Sequence, residues 1–187
     1  MKTRTIATIV VFAALSIALN LLSPIRIPAP YAPFLIYQIW EIPIVAAFLL
    51  YGALAGSMIA VLNTVVLLAV FPGELPTGPF YNLAAILSMF LGIIVAQKIS
   101  ERYPDSFGDT SLGIMVTSAG IFLRTVAMAL VNWVFLRFDP PVGFSLPETA
   151  ILAYVPLVIL FNATLALYTI PSGYVLAKAV KSGMEMA

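Results

Sequence analysis

The chain has 187 residues, 62% hydrophobic and 9% charged, with nine Lys/Arg, eight Asp/Glu and a net charge of +1. Charges this sparse exclude a soluble globule, in which roughly a quarter of the residues are charged, and the apolar content excludes a disordered chain. Cys and His are absent, which removes disulfides, thiolate nucleophiles, imidazole catalysis and Cys/His zinc sites. With a mean hydropathy of +1.08, the chain reads as an integral membrane protein.

A spanning helix takes about 20 mostly apolar residues. Six segments are predicted, forming one all-α, compact six-helix membrane domain over residues 1–187. The first covers 5–22. Lys2 and Arg4 precede it, but the run is long for a signal peptide and no clear small-x-small cleavage site follows. The second, 40–54, and the third, 55–71, form one apolar run interrupted by Tyr51-Gly52-Ala53-Leu54-Ala55-Gly56. Its glycines allow a tight turn and a close helix approach, so a helical hairpin is expected. The alternative, one tilted helix, is longer than tilt comfortably absorbs. The fourth, fifth and sixth segments cover 80–99, 112–136 and 149–178.

Six spans put both termini on one side, and the Lys/Arg distribution says which. A cytoplasmic N-terminus places Lys2, Arg4, Lys98, Arg102, Lys178 and Lys181 inside and Arg26 and Arg137 outside, with Arg124 within a span. Both termini are therefore expected to be cytoplasmic. The outer loops, 23–39, 72–79 and 137–148, are rich in proline, and the first also in aromatics. Such stiff, apolar loops suit either a lid over a small-molecule site or an interfacial belt. The inner loop, 100–111, reads as ordinary solvated chain.

Polar residues inside a membrane usually face protein or ligand. Here they are Asn20, Asn63, Asn82, Arg124, Asn132, Asn162 and Thr164, with Glu41 at the outer mouth of the second span. Asn82, Asn132 and Asn162 fall at similar depth on three segments. Amides both donate and accept, which suits a heteroaromatic ligand, and Trp40, Tyr81, Trp133 and Phe161 can stack on its ring. The competing role for the amides is bridging helices, at ~1 kcal/mol each. Arg124 costs about 2.5–3.5 kcal/mol to insert. It has three possible partners: Glu41, backbone carbonyls or an anionic ligand group, with structural pairing preferred over ligand contact. Ala14 and Ala18 form a small-residue stripe, near Ala7 and Ser16, that admits a close helix neighbour, internal or from another subunit. No carboxylate pair lies inside an apolar run and no phosphate-binding Gly-Lys-Ser/Thr loop is present. An enzyme is not expected, no cofactor or metal is expected, and any ATPase that drives transport must be another chain.

On these residues the chain resembles the substrate-binding S component of an energy-coupling factor (ECF) vitamin transporter. The resemblance covers nearly the whole chain: length, six spans, inside termini and the Ala14/Ala18 stripe. It implies that this stripe docks onto a transmembrane coupling subunit accompanied by two cytoplasmic ATPases, in a prokaryotic cell membrane. The closest pattern is the riboflavin type, carried by Glu41-Ile42-Pro43, Tyr51-Gly52-Ala53-Leu54-Ala55-Gly56, Asn82, Asn132 and Phe161-Asn162. That type implies riboflavin as the ligand, held by Trp40, Glu41, Asn82, Asn132, Trp133 and Asn162. The chain departs from it at Gln38, where an Asp is common, and near Asn63 and at Leu165, where lysines stand. It departs again at Arg124, usually an apolar position. A redistributed flavin site and a different ligand (pyridoxine, pantothenate or hydroxymethylpyrimidine) both remain open. A stand-alone secondary transporter is a more distant alternative; it calls for midplane acids and inverted repeats, and neither is evident.

Overall fold

Lipid offers no hydrogen bonds, so a chain this apolar closes its backbone into helices wherever it crosses the membrane. The computed structural model describes residues 3–22, 27–70, 75–103 and 108–185. Among them the helices are α1 (Thr3–Leu22), α2 (Glu41–Tyr51), α3 (Ala53–Val70), α4 (Gly78–Arg102), α5 (Asp109–Phe135) and α6 (Glu148–Glu185). Between α1 and α2 lie two strands, β1 (Ile27–Ala29) and β2 (Ala32–Tyr37).

Helices α2, α3, α4, α5 and α6 are neighbours in cyclic order, with α6 returning to α2, and α1 leans on α2 and α3 from outside. The inner face of α1 carries Phe12, Ala13, Ser16 and Asn20, all buried, while Val10 and Val11 on its outer face are exposed. Helix α2 supplies the centre of the core: every residue from Ile44 to Phe48 is buried. Large apolar side chains point outward over the whole bundle, including Leu54, Phe122 and Val175. In water that surface would aggregate; in a bilayer it is the solvated face. The chain is a membrane protein in which α3, α4, α5 and α6 are long and apolar enough to cross.

The predicted helical hairpin is present. Gly52 ends α2 with φ +88°, a conformation open to glycine and strained for other residues, and its N–H reaches Phe48 O at 2.8 Å. Gly56 lets α3 approach α2 closely, since a Cβ there would lie 2.6 Å from Phe48 Cβ. The Phe48 and Phe90 rings stack beside it at 4.2 Å.

One expectation needs correction. The second segment is only 11 residues of helix, about 16 Å at 1.5 Å per residue, half the hydrocarbon thickness. Glu41 is therefore not at an outer mouth; it starts α2 inside the bundle, 2% exposed. The bundle is all-helical, as expected, with one addition outside the helices. The first proline-rich loop contains an antiparallel hairpin that pairs Ile27 with Tyr37, Pro28 with Ile36 and Ala29 with Ala32. A two-stranded sheet has only edge strands, a setting in which a strand proline is tolerated. Parts of the loops expected to be outer, 23–26 (with Arg26) and 71–74, part of the loop expected to be inner, 104–107, and Lys2 lie outside the described residues.

Candidate ligand-binding site

The β-hairpin, the N-termini of α4 and α6, and the C-termini of α1, α3 and α5 all meet at one end of the bundle. A cavity of about 570 Å³ opens there. Asn82 of α4, Asn132 of α5 and Asn162 of α6 line it, together with Arg124, Asn20 and Gln38. The apolar wall includes Leu35, Tyr81, Met128, Phe144 and Phe161. The volume suits a vitamin-sized molecule, and an apolar wall with a few convergent polar groups is the usual make-up of such sites.

Arg124 organises the floor. Its Nη2 donates to Glu41 Oε1 at 3.0 Å while Nη1 donates to Oε2. Its Nε donates to Asn162 Oδ1 at 3.0 Å. The three side chains, from α5, α2 and α6, are all at least nine-tenths buried. A bidentate guanidinium–carboxylate pair is the arrangement that best tolerates such burial. Of the partners open to Arg124 in the sequence, Glu41 is the one it takes. Asn162 Nδ2 donates to Val158 O at 2.9 Å, and Asn132 Nδ2 to Met128 O at 2.8 Å. Both amides are thereby oriented by their own helices.

The roof is held by phenols. Tyr37 on β2 hydrogen-bonds Thr164 of α6 at 2.7 Å, and Tyr168 donates to Gln38 O at 2.6 Å. The Tyr37 ring lies 4.8 Å from that of Phe161. Tyr31 hydrogen-bonds Tyr37 in turn. Partial burial, then that bond, pushes the Tyr31 phenol up to about 12, so it stays protonated at ordinary pH. On the opposite side, Tyr81 donates to Val142 O at 2.8 Å, tying the α5–α6 loop to α4.

The remaining sequence candidates sit elsewhere. Trp40 is buried in the core beneath the hairpin and is not on the cavity wall. Glu41 reaches the cavity only through Arg124. Trp133 is 42% exposed and lies under the Arg137 guanidinium, 5.1 Å away, rather than in the cavity. Ala14 is exposed and Ala18 half-buried on α1, whereas Ser16 turns inward and bonds Phe12 O at 2.9 Å. Two further polar lining residues, Asn20 and Gln38, were not assigned to the binding site from the sequence. Asn20 stood among the polar residues inside apolar segments, and Gln38 stood out as a departure from the riboflavin-type pattern, but neither fact alone places the side chain on a cavity wall.

No protein-family model and no curated protein matches the chain. Among solved structures it is similar to the one described as the S component of a bacterial ECF transporter. That likeness covers 98% of this chain and 99% of the other, with a TM-score of 0.75 and 19% sequence identity. The chain has the S-component fold.

Proposed function

We propose that the chain is the substrate-binding subunit of an ECF-type transporter, one that captures riboflavin or a related flavin from outside and releases it inward when coupled to an ATPase module. The observation that carries this reading is the cavity, in which four asparagines from four helices and three aromatic rings face one vitamin-sized space under a hairpin roof. The S-component fold supports the general role. The Lys/Arg distribution supports a cavity open to the outside of a prokaryotic plasma membrane, with both termini cytoplasmic; the six helices support six passes, of which α2 traverses only part of the thickness. In this reading the subunit has no catalysis of its own; a transmembrane coupling subunit docks at Ala14 and Ala18, and two ATPases supply the energy. The flavin rests on the asparagine pattern. Arg124 and the absent lysines leave pyridoxine, pantothenate or hydroxymethylpyrimidine as the second reading.

Titration of the purified chain with riboflavin, followed by quenching of flavin fluorescence, tests the proposal. Saturable one-to-one quenching is expected. Saturable binding of another vitamin alone would replace the flavin, and binding of no vitamin would overturn the capture role.

A further inference from the structure

Arg124 is the one charged side chain on the cavity wall among the described residues. Glu41 is not on that wall; it stands behind the guanidinium. A guanidinium has five N–H groups. Two go to the carboxylate oxygens of Glu41, one to Asn162 Oδ1, and one points to Met89 Sδ at 3.7 Å. One N–H on Nη2 has no partner among the described residues. A molecule in the cavity therefore meets a single spare donor on a group whose charge is cancelled at contact distance. The other polar lining groups, amides and a phenol, are neutral.

We infer that the Arg124–Glu41 pair is a charge filter: Glu41 masks Arg124, so the cavity accepts a neutral ligand through a carbonyl-type acceptor and refuses its phosphorylated or carboxylated counterpart. An anion entering this space loses its hydration and finds no net positive charge in return. A carbonyl oxygen loses less and needs only the one N–H. The inference rests on the capture reading above and adds the charge class of the ligand.

The test compares wild type with Glu41→Gln, which unmasks the guanidinium and keeps the shape of the side chain. One arm measures affinity for riboflavin and pyridoxine against their 5′-phosphates. Wild type is expected to prefer the neutral member by roughly 100-fold, and Glu41→Gln to narrow that ratio by at least about tenfold. The second arm uses no vitamin: sodium sulfate should raise the melting temperature of Glu41→Gln clearly more than that of wild type, whose own rise measures the general stabilisation by an excluded salt. Equal or tighter wild-type binding of a phosphate ester overturns the inference. So does a Glu41→Gln protein with unchanged ratio and no sulfate response beyond that of wild type. If the wild type binds no vitamin, the capture reading fails and the sulfate comparison alone decides the filter. If Glu41→Gln does not fold, Glu41→Gln/Arg124→Gln replaces it. That protein should keep the neutral-to-anionic ratio to within about tenfold, because a masked pair contributes no net charge; a larger change overturns the filter.

Discussion

At the scale of single residues, the buried pair dominates. Removing one member leaves the other charged and without its partner in a dry interior, which costs about 3–5 kcal/mol. Arg124→Ala is therefore expected to lower the melting temperature of the detergent-solubilised chain sharply, and Glu41→Leu/Arg124→Met much less. Equal losses in the two would mean that the pair is not the reason Arg124 is tolerated. The amides on the cavity wall act on affinity instead. Asn132→Ala is expected to weaken ligand binding by roughly 1–3 kcal/mol through an unpaired ligand group, with little change in unfolding. Asn162→Ala should show a comparable loss and also a lower melting temperature, because Asn162 Oδ1 accepts from Arg124. Unchanged affinity in both would move the site away from these helices. Arg124 was conspicuous in the sequence because charge is expensive in a membrane, and Glu41 was among its possible partners. The tryptophans were less legible: an aromatic near a helix end serves core, interface or ligand equally well. Here Trp40 went to the core and Trp133 to the surface.

At the scale of elements, the α2–α3 turn was readable because Gly52 and Gly56 sit where a turn and a close approach need them. A larger side chain at Gly56 must displace Phe48, whose Cβ would be 2.6 Å away. Gly56→Leu is expected to destabilise the chain by about 1–3 kcal/mol, seen as a lower melting temperature. The β-hairpin was not readable, since Pro28 and Pro33 argue against strands and only the outcome, an isolated pair of edges, excuses them. The glycines placed the turn but not the last helical residue: the expected second segment, 40–54, runs three residues past the observed end at Tyr51, because hydropathy continues through Gly52. The hairpin is fastened by Tyr37 to Thr164 at 2.7 Å and by Tyr168 to Gln38 at 2.6 Å. Tyr37→Phe removes one fastening, worth about 1 kcal/mol. If the hairpin roofs a bound ligand, stopped-flow release should quicken roughly fivefold in that variant, with little change in association. Release at the wild-type rate would mean that the hairpin does not retain the ligand.

At the scale of the whole molecule, the order of the segments was legible from hydropathy because lipid forces long apolar helices. The closing of α2 through α6 into a ring was not, because periodicity on one helix says nothing about which neighbour it meets. That closure is what brings Asn20 and Gln38 to the same cavity as Asn82, Asn132 and Asn162. It also leaves α1 on the outside, with Ala14 exposed. Under the proposed role, that exposed stripe is where the coupling subunit approaches. Ala14→Trp adds bulk to an open surface, so it is expected to spare ligand binding and abolish uptake in vesicles carrying the coupling module and ATPases. Ala18→Trp should do the same with some loss of stability, since Ala18 is half-buried. Variants that lost binding but kept assembly would place the docking surface elsewhere.

The central claim, that the cavity beneath the hairpin captures a flavin, is tested most directly by an absorbance spectrum and mass analysis of whatever copurifies with the detergent-solubilised chain. The account predicts flavin absorbance near one equivalent per chain in the wild type, reduced in Asn132→Ala and Asn162→Ala. A different vitamin bound in flavin's place, or flavin retained in full by both variants, would contradict it.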